Sequence, residues 1–217
     1  MRTKPVLYTP PPFILERGRL FVLRTSWHEA LTLQMWQEAR YRLDEIGFPP
    51  ERTHVFTVPG AFELPQLAAM LARHYSWRVG FSQRVAIQGP SHIQSNLRFP
   101  PFFMGNLESQ LRAEFLLESA GPIGYLQPYE PGETGELPVL LTLGCILKGE
   151  TEHNRYLAQA VFAALLHIAI QSGIPITLGI LTPDTYEQAV ERIPQAREWA
   201  VAGFHVWATR LSFNKPV

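Results

Sequence analysis

The chain has 217 residues, 46% of them apolar and 18% charged, with 19 basic and 19 acidic side chains and a single cysteine. At about 150 residues per domain this is one large domain. The balanced charge supplies no field to draw in nucleic acid, and one cysteine excludes an internal disulfide framework and zinc sites built on several thiolates.

No apolar run approaches the ~20 residues that span a bilayer. Pro10, Pro11 and Pro12 fall where a secretory signal needs an apolar helix. A cytoplasmic chain without membrane or nucleic-acid partners is expected. Its charged share is below the roughly 25% of ordinary soluble domains, although it carries 13 Phe, 7 Tyr and 5 Trp. Part of its surface is therefore expected to lie against other copies of itself.

Residues 1–18 are proline-rich and aperiodic, which predicts an extended arm. A strand follows over 19–25, then a helix with Trp36, Ala39, Leu43 and Ile46 on one face, stopped by Gly47, Pro49 and Pro50. The β-branched and aromatic run at 53–58 is a second strand ending at Pro59-Gly60. Leu64, Leu67, Ala68, Leu71 and Tyr75 then repeat at helical spacing, with Pro65 tolerated in the first turn. From 76 to 136 prolines and glycines break the rhythm, so an insertion with little regular structure is expected there, around one amphipathic stretch at Leu107, Leu111 and Phe115.

The run LPVLLTLGCIL from 137 is apolar without alternation, as in a parallel strand covered on both faces. Leu157, Ala160, Val161, Ala164, Leu165 and Ile168 form the stripe of a long helix, and 174–181 is a fourth buried strand. Pro183 and an Asp184–Glu187 capping box are read as the next helix start. Trp199, Ala202, Gly203 and Val206 mark a last helix reaching about Arg210, with 211–217 as a tail. Strands alternating with helices predict a doubly wound parallel α/β sheet in one domain, 19–210.

Ligands in such sheets bind beyond the carboxyl ends of the strands. Three of those ends carry chemistry. Trp27 offers a flat face for a heteroaromatic ring, or a core aromatic. Gly60 and Ala61 let backbone approach a ligand, and Glu63 is either a hydroxyl acceptor or a first-turn acid matched to the helix dipole. Gly149, Glu150 and Thr151 open a helix, where free amides favour an anion such as phosphate but where Gly and Thr also serve as ordinary caps. His153 is a general acid or base, or a structural histidine. Arg192 suits a phosphate, or solvent. Cys145 lies inside an apolar strand and reads as a buried, inert thiol.

The segments VPGAFELP at 58–65, LGCILKGETEH at 143–153 and IPITLGILTPDTYEQAVER at 174–192 resemble the signature stretches of the lumazine synthases, over about residues 19–75 and 137–210. The resemblance implies a flavodoxin-like fold and assembly as pentamers or multiples of them. It also implies the penultimate step of riboflavin biosynthesis: condensation of 5-amino-6-(D-ribitylamino)uracil with 3,4-dihydroxy-2-butanone 4-phosphate, releasing phosphate and water. By that resemblance Trp27 stacks on the pyrimidine, Gly60, Ala61, Phe62 and Glu63 hold the ribityl chain and ring edge, and Cys145, Ile146 and Leu147 line the uracil. Glu150 and Thr151 form the phosphate turn, and His153 transfers protons. Leu178 and Arg192 reach the site from a neighbouring subunit, and no metal or organic cofactor is required.

The chain departs from the family at His28, where Asn is usual, and at Leu178, where an aromatic is usual. It also has no lysine in the segment after Arg192, where the family commonly has one that contacts substrate; Arg197 stands as a substitute. The insertion adds roughly 55 to 60 residues by comparison with the short loops of such folds. These departures leave a second reading, a catalytically impaired paralogue that binds a ligand or serves in assembly.

Overall fold

The computed structural model describes the backbone of residues 8–83, 128–131 and 135–213, with side chains for all of these except 76–83. Its sheet places the most continuously apolar segments in the middle. β3 (Leu137–Cys145) is buried at every position, and β1 (Gly18–Thr25) at all but Arg19 and Arg24. The flanking strands, β2 (Thr53–Val58) and β4 (Ile176–Leu181), are half-exposed. The order is β2-β1-β3-β4 and all pairs are parallel. The registers Thr25↔Val58 and Cys145↔Leu181, with Arg24↔Leu143 across the middle, bring the four carboxyl ends to one edge.

Helices cover both faces. α2 (Glu29–Glu45) packs on α6 (Ala196–Phe213), and α3 (Leu64–Gln83) packs on α4 (His153–Ser172). The expected doubly wound parallel sheet is therefore the architecture of the chain. Reversal of direction between β1 and β3 puts the crevice of the open sheet beyond their carboxyl ends. α5 (Tyr186–Arg192) is a short helix between β4 and α6.

Several local expectations shift. Within the arm expected to be extended, Pro12–Arg17 forms a short helix, α1, with Ile14 fully buried; Pro12 at the first helical position presets its backbone angle. α3 runs on past Tyr75 to Gln83, because no proline interrupts the chain between Pro65 and Pro90. Most of the insertion expected over 76–136 follows this helix and lies outside the described residues, between α3 and β3. The amphipathic stretch at Leu107, Leu111 and Phe115 lies outside the described residues.

α5 starts later than Pro183. Its cap is Thr185, whose Oγ1 accepts from Gln188 N at 3.3 Å, so the Asp184–Glu187 box does not form. In α6 the face against the sheet is Ala196, Ala200, Gly203, Phe204 and Trp207, while Ala202 and Val206 are exposed. α6 continues to Phe213, past the expected end. Trp207 fixes the rotation of the helix, since its buried indole N–H donates to the carbonyl of Pro138 at 2.8 Å.

Candidate active site

The turns at the carboxyl edge are tied in two pairs. Between β1 and α2, Ser26 N donates to Val58 O at 2.8 Å and Trp27 N to Pro59 O at 2.9 Å, so the turn carrying Trp27 lies along the one that leaves β2. Between β3 and β4, pairing continues past the strand ends. Ile146 N donates to Leu181 O at 2.8 Å and Lys148 N to Pro183 O at 3.1 Å. The ε-ammonium of Lys148 stands 3.4 Å from Asp184 Oδ1.

The first pair of turns displays aromatic surface. Trp27 is 69% and Phe62 60% exposed, far more than packing aromatics allow, so the core reading of Trp27 is set aside. His28 holds φ 56°, ψ 44°, the left-handed region that Asn, Asp and His enter more readily than most residues. That backbone turns the chain sharply from β1 into α2 and sets the imidazole edge-on to the Trp27 ring. Ala61 is buried in a 3₁₀ turn. Glu63 is partly committed, because one carboxylate oxygen accepts from Gly60 N at 2.9 Å and the other carries no such bond among the described residues.

The second pair places Cys145 and Ile146 under the crevice, 4% and 5% exposed, with Leu147 half-buried above them. Burial pushes the Cys145 thiol up to about 11, so it stays neutral and unreactive, as its apolar strand predicts. Gly149, Glu150, Thr151 and His153 are exposed where the chain enters α4. His153 N lies 3.4 Å from Thr151 Oγ1, which turns the hydroxyl toward the helix end. From Lys148 to Arg155, with Asp184 beside them, carboxylates outnumber cations. Lys148 faces Asp184, Arg155 faces Glu152 at 3.8 Å, and Glu150 has no ion-pair partner among the described residues. An anion held at this turn therefore competes with these carboxylates for the cations beside it.

Leu178 and Arg192 stand apart from these turns. Leu178 is on the outer face of the edge strand β4, 41% exposed and three residues short of its carboxyl end. Arg192 closes α5, and its Nη1 donates to the carbonyl of Gln188 at 2.7 Å. No hydrogen bond or ion pair among the described residues joins it to Glu150, Thr151 or His153. Arg197 is engaged on the α2 side, where it bonds Glu38 at 2.5 Å and lies over the Tyr41 ring, so it is not free to replace a substrate-binding lysine. Sequence reading gives neither Lys148 nor Asp184 a role at the site. The signal was available, since Lys148 is one of three lysines and the other two, Lys4 and Lys215, are terminal.

Among the described residues no helix is long and apolar enough to cross a membrane. The family model for 6,7-dimethyl-8-ribityllumazine synthase matches residues 17–87 and 132–210, leaving 88–131 between its two blocks, inside the insertion. The chain is 46% identical over 178 residues to the 6,7-dimethyl-8-ribityllumazine synthase of Rhodopirellula baltica, covering 82% of this chain and 76% of that one. It is 26% identical over 187 residues to the synthase of Pyricularia oryzae, covering 86% and 79%. To that of Protochlamydia amoebophila it is 22% identical over 178 residues, covering 82% and 69%. With two matched blocks that fall on the strands and helices of one parallel sheet and on all of its loaded turns, the chain belongs to the 6,7-dimethyl-8-ribityllumazine synthase family.

Proposed function

We propose that this chain condenses 5-amino-6-(D-ribitylamino)uracil with 3,4-dihydroxy-2-butanone 4-phosphate to 6,7-dimethyl-8-ribityllumazine, in riboflavin biosynthesis, with release of phosphate and water. The observation that carries the reading is the parallel register that brings the strand ends bearing the family's three motifs to one edge, where backbone hydrogen bonds tie the 146–148 turn to 181–183 and the Trp27 turn to Val58 and Pro59. Trp27 stacks on the pyrimidine. Gly60 to Glu63 hold the ribityl chain and ring edge, with the free oxygen of Glu63 accepting from hydroxyls. Cys145, Ile146 and Leu147 form the apolar floor under the uracil, contributing backbone and methyl surface and no thiolate. Glu150 and Thr151 shape the phosphate turn.

The pyrimidine amine adds to the ketone and water is lost, which gives an imine. A proton then leaves the adjacent carbon, phosphate departs with its C–O electron pair, and ring closure expels a second water. Every step is a proton transfer or an addition–elimination, so no cofactor is called for. His153, exposed at the first position of α4 and two residues past Thr151, moves the protons. Holding two small reactants side by side supplies much of the rate.

The site is completed by a neighbouring copy, which brings Arg192 to the phosphate and Leu178 to the ring. The unmatched carboxylate at the turn supports an imported guanidinium. So does the apolar groove of about 550 Å³ beside β4, lined by Ile170, Pro175, Ile176, Leu178, Ala202 and Val206. Such a surface on a chain so poor in charge fits a ring of copies, a pentamer or a multiple of pentamers. A reducing cytoplasm suits a lone buried thiol.

Purified protein mixed with both substrates should produce the lumazine chromophore at a rate that His153→Ala abolishes. One observation favours the second reading, a paralogue impaired in turnover: Arg197 is bound to Glu38 and does not stand in for the family's lysine. Binding of the pyrimidine without product would decide for that reading.

A further inference from the structure

We propose that Lys148 is the protomer's own cation for the phosphate of the second substrate, and that Asp184 holds it in reserve until the phosphate arrives. The inference rests on the function proposed above and adds to it a residue that sets affinity for the phosphorylated ketone. Lys148 is the single lysine among the described residues, and it directly precedes the Gly149–Glu150–Thr151 turn. Its backbone is pinned, since Lys148 N donates to Pro183 O at 3.1 Å, while its side chain is 57% exposed and free to swing.

Among the described residues the ammonium has one ion-pair contact, and it is loose. At 3.4 Å the Lys148–Asp184 pair is well beyond the ~2.7–2.9 Å of a strong charge-assisted hydrogen bond, and an ammonium carries three donors. Asp184 is itself held in place, its backbone N–H donating to Gln188 Oε1 at 3.0 Å. A dianionic phosphate at the neighbouring turn competes for Lys148 against a single carboxylate charge. The compact charge on a flexible stem lets lysine change partners where a planar guanidinium would be less free. The remaining cation of the segment, Arg155, is turned to Glu152.

This arrangement makes a prediction of sign that a merely structural clamp does not share. In the full-length protein, Lys148→Gln should raise the KM for the ketone phosphate, and the inhibition constant of inorganic phosphate, by about tenfold. Asp184→Asn, which releases the ammonium, should lower both by about threefold, the scale of an exposed ion pair. The double variant should behave like Lys148→Gln, Lys148→Arg should restore most of the affinity, and the KM for the pyrimidine should stay put in all four. Both single variants weakening phosphate together, or Lys148→Gln leaving the inhibition constant unchanged, would overturn the proposal. Direct titration of inorganic phosphate by calorimetry reads the same two residues without turnover. A wild-type protein that binds phosphate through Lys148 yet makes no lumazine would defeat the functional reading and leave this one standing.

Discussion

If Arg192 serves the site of an adjacent copy, two inactive variants should repair each other. His153→Ala removes the proton carrier, a loss of about 10² to 10⁴ in rate. Arg192→Ala removes a charged hydrogen bond worth ~1.5–3 kcal/mol, or about 10- to 150-fold in kcat/KM for the ketone phosphate. The loss falls toward the upper end of that range because Glu150 at the phosphate turn has no ion-pair partner among the described residues and Lys148 is shared with Asp184. Denature the two variants together in equal amounts, refold, and consider any site in the mixed ring. It is intact only when the chain supplying residue 153 is the Arg192→Ala variant and the chain supplying residue 192 is the His153→Ala variant. Each condition holds for half the chains, so about one quarter of wild-type activity should return whatever the number of subunits in a closed head-to-tail ring. The assay is lumazine formation at saturating pyrimidine, with each variant refolded alone as control. Activity no higher than the mean of those controls would show that both residues act within one chain, and the shared site would have to be given up.

Three other expectations are independent of assembly. Trp27→Ala should leave the denaturation midpoint within experimental error, because the side chain is 69% exposed, yet raise the KM for the pyrimidine by about 2- to 13-fold, the equivalent of a ~0.5–1.5 kcal/mol ring contact; an unchanged KM would remove Trp27 from the site. His28→Gly relieves a left-handed backbone and should stabilise the fold by about 0.5–1 kcal/mol in urea titration, whereas a loss would mean that the imidazole contacts outweigh the strain. Cys145 should resist thiol reagents at pH 8 until the protein unfolds. Folding raises its pKa from the ordinary 9.0 to about 11, so its contribution to stability is complete below about pH 9 and is lost as pH climbs through about 11; a denaturation midpoint flat across that window, or fast labelling of the native protein, would count against its burial.

The strands were legible in the sequence because each is bounded by a strong stop and the two central ones lack polar alternation. Where sequence reading misplaced residues, two patterns competed locally and packing chose between them. WAVAGFHVWA in α6 is apolar nearly all round, so hydrophobicity alone cannot say which stripe meets the sheet. The absence of a Cβ at Gly203 decides it, since one built there would stand 2.3 Å from Val139 Cγ1. The side that stays outside, with Ala202 and Val206, becomes the wall of the groove beside β4. At the start of α5 the Thr182–Glu187 segment offers two capping registers, and the second wins because the backbone through Pro183 is already committed to Lys148 N.

The same commitment explains why Lys148 was hard to see. Its motif reads as a phosphate turn led by glycine, and only the pairing of 146–148 against 181–183 shows a lysine fixed at its base and loose at its tip. Arg192 is the opposite case. Its motif is plain in the sequence, yet within one chain its guanidinium turns back on Gln188 O. If its partner lies on another copy, as proposed, one chain shows it only as a surplus of charge on one surface and a deficit on another. Among the described residues that deficit falls at Glu150.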